Sequence, residues 1–597
     1  MNTNSPNVNN GKLVTFSVFS NGNKVSDSLL FISIEIYREI NRIGGAILKI
    51  VAGDMPNADV PESASDHFKP GQKIKIELGY ESVEQSVFEG IVVSQHIHIP
   101  RNDHSQPMLI VECKHEAIKA TVARRNRVFV DTPDHTAVNT ALGDSGLSVE
   151  MDSTPVTHKQ LVQYYCTDWD FALSRADIYG MLVITDGAKV AIKKPEVSKG
   201  AVLTVTYGTD LYSFDGELYA EDQFSTVESL GWDSVSQAVV SVSSSPASLN
   251  EQGNMNPNAM ASAAGTDTIY LQSDAQSDGD ILKAWADSTL QKTGLARFRG
   301  SFTFCGNAAA VPGSIIELAG MGDRFNGKVF VGGVTHKVEE GLWMTEVQMG
   351  VSPVNITQQP DVVAPAASGL YPGIEGLHIG TVAKLTEDPE SNYRIQVKVP
   401  VLKSELIWAR LAQFSATNDK SGSYFIPSVE DEVILGFINN DPNQAVILGC
   451  MYSAKKVPPY EPDEKNYKRA FISPEQLKIE LDDEKKIITI ITPGENSIVI
   501  NDDAKSLTLK DQNDNEIVMN DKGISITSAK DITLKAKGKV DIQSTDKLTV
   551  KAQQDASVEG MNVTVKAQTS LKVTGSASAE ISASGQTTVK GAMVMIN

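Results

Sequence analysis

The chain has 597 residues, 41% hydrophobic and 21% charged, with a formal charge of −21 at pH 7. That length predicts about three to five domains with ordinary globular cores and excludes wholesale disorder. The acidic balance argues against a nucleic-acid binder, whose affinity rests on neutralising phosphates, and against docking on an anionic membrane surface.

Four cysteines, Cys113, Cys166, Cys305 and Cys450, show no C-x-x-C spacing and are expected as buried reduced thiols. The polar first residues lack a basic n-region and an apolar h-region, and no apolar run reaches the ~20 residues of a membrane span. The protein is therefore expected to be made in the cytoplasm, to make no stable membrane insertion and, if it leaves the cell, to do so without a signal peptide.

Strand-like alternation opens the chain at residues 12–19 (KLVTFSVF), 73–78 (KIKIEL) and 87–93 (VFEGIVV), a barrel or sandwich pattern over residues 1–105. Residues 106–360 read as a second region mixing strands and helices. A helix start at Asp131-Thr-Pro-Asp134 puts Val138, Ala141 and Leu142 on one face, with Gly143 as the stop. A second helix opens near Asp168 and closes at Gly180, followed by a strand at 181–185 (MLVIT). Residues 241–268, rich in Ser, Ala, Asn and Gly, read as a flexible linker. A helix is expected from about Asp280 to Lys292, strands over 297–352 and a proline-rich linker over 353–374. Residues 375–455 carry short strands at 378–383 (HIGTVA), 393–399 (YRIQVKV), 432–438 (EVILGFI) and 445–449 (AVILG), which suit a small OB-type barrel.

The tail, 477–597, changes composition, with no aromatic residue after Phe471. Apolar pairs at i and i+2 recur at Ile488/Ile490, Ile498/Ile500, Leu507/Leu509 and Ile517/Met519. The spacing then locks to eight through Ile524/Ile526, Ile532/Leu534, Val540/Ile542, Leu548/Val550 and Ala556/Val558. After one seven-residue step it resumes at Val563/Val565, Leu571/Val573, Ala579/Ile581 and Thr587/Val589. Eight residues turn an α-helix about 80° past two turns, so a helical stripe would wind around the surface. The i, i+2 pairs demand strands, two inward side chains each. A single such ribbon buries no core and leaves its strand edges open, whereas three chains wound together form a prism roughly 50–60 Å long at about 4.8 Å per octad. A coiled coil fails on period. A single-chain solenoid needs inward residues on three faces per turn, and each octad is too short for that. The trimer core is assigned to Ile524, Ile532, Val540, Leu548, Val565, Val573, Ile581 and Val589.

An octad tail placed after a small barrel resembles the valine-glycine repeat protein G (VgrG) family, the type VI secretion spike. It is similar also to the fused hub-and-needle proteins of contractile phages and extracellular contractile injection systems. The resemblance rests on residues 393–400 (YRIQVKVP), 407–410 (IWAR), 426–437 (IPSVEDEVILGF) and 440–452 (NDPNQAVILGCMY). Upstream, 165–175 (YCTDWDFALSR) looks like the family's Asp-x-Asp-Phe-x-x-x-Arg helix start, and 312–318 (PGSIIEL), 326–331 (NGKVFV) and 334–336 (VTH) also fit. The tail departs from the namesake repeat, because Gly538, Gly560, Gly575, Gly585 and Gly591 hold no single octad position.

The resemblance implies a mainly β homotrimer: tube-like hub β-barrels with a few helices, an OB-fold neck and a C-terminal intertwined triple-stranded β-helix. The implied partners are a hexameric inner-tube (Hcp-like) protein, a conical PAAR-like tip protein, baseplate proteins and effectors. The chain would be part of an injection particle delivered outside the cell or into the target. The apolar end at Met593, Val594, Met595, Ile596 and Asn597 is the expected cap-binding surface.

No enzyme is expected. Asp168 and Asp170 could be read as a glycosidase acid pair, but at a helix start Asp168 reads as a cap and Asp170 as a dipole partner. His96 and His98, with His104 and His115 nearby, would share a strand face, yet nothing completes a metal spacing. G-x-x-x-x-G-K-[ST], G-x-S-x-G, H-E-x-x-H and G-x-G-x-x-G are absent. No catalytic residue, metal site or cofactor is assigned. The alternative is a carbohydrate-binding or hydrolysing tailspike, whose tail should carry aromatic residues for stacking on sugars.

Overall fold

The alternating N-terminal runs form strands Val14–Ser20, Lys73–Tyr80 and Val83–His98, and their inward residues Val18, Ile74, Ile76, Leu78 and Val92 are buried. The computed structural model describes all residues except 1–4, 102–105, 266, 277, 361 and 597. They divide into two units, Met1–Met451 and Tyr452–Asn597. The fold is mostly β with four α-helices among the described residues.

In the first unit, 13 strands make one hydrogen-bonded sheet. Its two halves carry separate apolar clusters, one around Ile34, Leu48, Ile76 and Val111, the other around Phe302, Phe304, Ile316 and Val347. The halves join where Phe31–Glu39 pairs antiparallel with Gly327–Glu339, from Gly333 opposite Glu39 to Glu339 opposite Ser33. The sheet thus crosses the expected division at residue 105. Its physical reason is the long-range pairing of strands nearly 300 residues apart, which no local pattern announces.

The helices are α1 (Asp134–Asp144), α2 (Asp168–Ile178), α3 (Pro257–Ala264) and α4 (Gly279–Leu295). Val138, Ala141 and Leu142 of α1 are buried against α2, as the periodicity predicts. Helix α3 corrects the reading of 241–268 as a flexible linker. The Asn256 side chain accepts from Ala259 N–H at 2.9 Å, Pro257 starts the helix, and Gly265 ends it at φ +78°. Met260 and Ala261 are buried. An Asn cap, a first-turn proline and a left-handed glycine specify a short helix in a composition that otherwise reads as loop.

None of the four cysteines forms a disulfide among the described residues. Cys113 and Cys305 are buried and Cys166 is half-buried, but Cys450 is exposed, which corrects its expected burial. It closes the last barrel strand, beyond the inward residues Ala445 and Ile447.

His336, on the strand that joins the two halves, is fully buried. Its Nδ1 lies 2.9 Å from Thr345 Oγ1 and its ring packs on Trp343 with centroids 5.7 Å apart. Burial, reinforced by the Arg38 guanidinium, pushes it down to about 3. Because the folded value lies below the ordinary value, the neutral ring stabilises the fold fully above about pH 6.5. That contribution drains as pH falls from there towards 3. Denaturant midpoints of the hub should therefore drop across this window, and His336→Gln should flatten the slope.

Strands His378–Lys384, Ile395–Val399, Glu405–Leu411, Glu432–Phe437 and Ala445–Cys450 close into a five-stranded barrel. Its filling is Val382, Ile395, Val397, Val399, Ala409, Val433, Leu435, Ala445 and Ile447. Four of these strands are legible as alternation. Glu405–Leu411 is the addition that closes the barrel.

Candidate trimerisation and tip surface

The second unit has two regimes. Seven five-residue strands from Lys468–Ile472 to Gly523–Thr527 form an antiparallel meander. Successive i, i+2 pairs are direct cross-strand partners: Ile488 faces Ile500, Ile490 faces Ile498, Leu507 faces Met519, and Leu509 faces Ile517. The pairs thus build two unbroken apolar columns on one face. Ile488, Ile490, Ile498, Ile500 and Met519 are exposed there, a stripe that one chain leaves uncovered. Residues 477–527 therefore pair within the chain, where the period reading had treated the whole of 477–597 as an intertwined ribbon. The first six strands start nine or ten residues apart, which leaves four or five residues for each turn, and the last, Gly523–Thr527, folds back through two residues.

After Thr527 the geometry changes. The described residues 528–596 form no strand and no backbone pairing within the chain. The backbone bends at 529–530, 537–538, 545–546, 553–554, 561–562, 568–569, 576–577, 584–585 and 592–593. Those bends lie eight residues apart with a single step of seven, the rhythm of the apolar pairs. Every assigned core residue stands open: Ile524, Ile532, Val540, Leu548, Val565, Val573, Ile581 and Val589 are all more than half exposed. Met593, Val594, Met595 and Ile596 at the tip are exposed as well, and Asn597 lies outside the described residues. Backbone that makes no N–H to C=O bond within the chain, beside open apolar side chains, leaves strand-edge groups and apolar surface uncovered together.

The hub residues singled out for chemistry are held in place by structural contacts. Thr167, not Asp168, caps α2, accepting from Asp170 N–H at 3.0 Å. Asp168 points the other way, into a buried cluster with Arg127 at 2.5 Å and Gln163 and Ser145 both at 2.9 Å. Burial alone would raise its carboxyl, but these hydrogen bonds outweigh burial and hold it below the usual carboxylate range. A general acid at neutral pH needs the opposite shift. Asp170 takes the Thr167 hydroxyl at 2.6 Å.

The Asp-x-Asp-Phe-x-x-x-Arg run also supplies Arg175, whose Nε donates to the fully buried Asp134 at 2.5 Å. Tyr179 at 2.6 Å and His158 at 2.7 Å complete that site. The sequence offered one signal for it, since Asp134 opens α1 and Arg175 ends the motif.

His96 and His98 share a strand face with ring centroids 6.4 Å apart. No group of three or more His, Cys, Asp or Glu forms a metal-sized cluster among the described residues. His104 lies outside those residues, and His115 is buried, its Nδ1 accepting from Ala117 N–H at 3.0 Å. No helix among the described residues is long and apolar enough to cross a membrane.

A family model described as the Alg8 N-terminal domain matches residues 10–340, more than half of the chain. The chain belongs to this family. The rest of this Alg8-family chain matches two further models. The Type VI secretion system/phage-baseplate injector OB domain matches residues 378–452, the span of the closed barrel. The phage baseplate V C-terminal trimerisation domain matches 486–549, the meander and the first octads. It is a VgrG-like, phage-tail-spike-like protein of contractile injection systems, with an OB barrel and a trimerisation domain.

Among solved structures, the 43 kDa tail protein of prophage MuSo2 from Shewanella oneidensis is 12% identical, with a TM-score of 0.43, over 57% of this chain and 98% of that one. A tail protein from Neisseria meningitidis is 13% identical, with a TM-score of 0.42, over 58% of this chain and 99% of that one. An Escherichia coli component of the type VI secretion system is 12% identical, with a TM-score of 0.38, over 73% and 99%. These likenesses are too distant to carry a functional argument. No curated protein matches the chain.

Proposed function

We propose that this chain is the homotrimeric central spike and hub of a contractile injection system. It joins a hexameric Hcp-like inner tube to a tip and pierces the target envelope when the sheath contracts. The observation that carries the reading is the octad tail, without backbone-to-backbone pairing and with its apolar side chains exposed in one chain, in a stretch that begins inside the matched trimerisation segment. Three copies supply each other's missing strand partners, and separating them means breaking many interstrand bonds together, which suits a part loaded along its axis.

The tip residues Met593 to Asn597 take a PAAR-like cap, baseplate proteins surround the hub, and effectors ride on the tip. The particle assembles from protein made in the cytoplasm and acts outside the cell. The role is mechanical rather than enzymatic. Supporting this, the carboxyl groups of Asp168 and Asp134 are held below the usual range by arginine and hydrogen-bond partners, and the aromatic-free tail offers no stacking surface for sugars.

Native mass spectrometry tests the reading. The expected species is three times the 64.4 kDa chain. A folded monomer at micromolar concentration would overturn it.

A further inference from the structure

Between barrel strands Glu405–Leu411 and Glu432–Phe437 the chain leaves the barrel and doubles back as a finger. Ala416 and Gly422 bridge antiparallel. Ser423 N–H donates to Ser415 O at 2.9 Å, and Thr417 N–H donates to Ser421 O at 3.1 Å. Asp419 and Lys420 turn the tip, both at φ +59°. At Gly422, φ is +139° and an added Cβ would lie 2.4 Å from Ser415 O, so only glycine fits. This register makes Phe414 and Tyr424 cross-strand neighbours. They are 93% and 83% exposed. A lone exposed ring is ordinary, but two exposed rings at opposed positions of a hydrogen-bonded finger make an anchor of the kind interfaces use.

The same barrel carries a receiving surface. On its outer face Gly436 sits between two leucines, where an added Cβ would lie 3.4 Å from Leu448 Cδ1 and 3.8 Å from Leu377 Cδ2. Leu377 and Leu448 are exposed, as is Ile379. The missing side chain at Gly436 leaves an apolar notch between them.

We propose that the Phe414–Tyr424 pair of one copy docks on the Leu377–Gly436–Leu448 notch of a second copy of this chain, repeating around the threefold axis. The inference rests on the trimeric reading of the tail. The OB segment ends at residue 452 and the trimerisation segment starts at 486, so trimerisation tethers three barrels at an effective concentration on the order of millimolar. A contact too small to hold alone is occupied under that tether. Two unlike patches on one chain make a heterologous contact, which closes into a ring when the rotation is threefold.

Photo-crosslinking of the full chain with p-benzoylphenylalanine in place of Tyr424 tests it. Irradiation should give covalently joined copies, linked to the segments around Leu377 and Gly436–Leu448. Their yield should be roughly tenfold above that from the same group at Val235, a hub turn outside the tethered barrel. Gly436→Glu, which fills the notch with charge, should abolish the link while leaving the trimer mass intact. A trimer that yields only adducts within its own chain, or links to tube or cap protein in assembled particles, overturns the docking but leaves the trimer standing. A monomer overturns the trimer itself, and the docking with it.

Discussion

Leu548→Asp is expected to turn the trimer into monomers that keep hub and barrel folded. Leu548 is 61% exposed in the single chain and lies within the matched trimerisation segment. Its partner at i+2, Val550, shares its face, so in the proposed trimer both side chains face the threefold axis. One substitution therefore places three carboxylates around one axis, each desolvated and each facing two like charges. At roughly 3–5 kcal/mol per uncompensated buried charge, three of them exceed what one layer of apolar contacts supplies. Thr549→Asp is the control, because alternate side chains face outward, and its trimer should survive heating like the parent. Native mass and sedimentation read the outcome. A Leu548→Asp protein that remains trimeric would show that this stretch does not face a shared core.

The octad rhythm was legible because it is a covalent property of the sequence. The bends of the tail recur at the same interval, including the single seven-residue step. The pairing partner of each strand was less legible. In the meander each strand folds back on its own chain, through turns of four or five residues and a last one of two, and the apolar pairs alone do not say whether the next strand pairs within the chain or with another copy. Helix α4 at Gly279–Leu295 brackets the expected 280–292, since its buried face and its cap residues agree. Helix α3 escaped because alanine, serine and asparagine are read as loop by composition, while its cap at Asn256 is read by position.

The α2 start was found at the right residue with the wrong role. A carboxylate one residue beyond a threonine can cap the helix or turn into the core, and Arg127 and Gln163, on two separate strands, decide for the core. The sheet joining Phe31–Glu39 to Gly327–Glu339 had no local signature at all. Alternation says which face of a strand is buried but not which distant strand lies beside it. The finger on the barrel was likewise invisible, because its aromatic residues look like any core residues until the register puts them outside.

Asp134→Ala is expected to loosen the helical part of the hub without changing the trimer. The carboxylate is fully buried at the first residue of α1, where the helix dipole favours negative charge. It accepts from Arg175, Tyr179 and His158. Truncation leaves the Arg175 guanidinium and the Tyr179 hydroxyl without their acceptor, a loss of about 3–5 kcal/mol. Burial alone would raise the Asp134 carboxyl. The charge of Arg175 and the hydrogen bonds from Arg175, Tyr179 and His158 outweigh it and hold the group below the usual range.

The stabilisation is therefore complete above about pH 4 and drains as pH falls further, so parent and variant should converge in acid. Amide exchange across α1 and α2 is the right measurement, since a chain of several units has no single unfolding free energy. Protection there should fall about a hundredfold or more at pH 7, with the meander unchanged. Because Asp134 and Leu548 belong to separate clusters, the double variant should show both losses independently, a monomer with a loosened hub. Unaltered protection of α1 and α2 in Asp134→Ala would mean that the buried ion cluster does not hold these helices together.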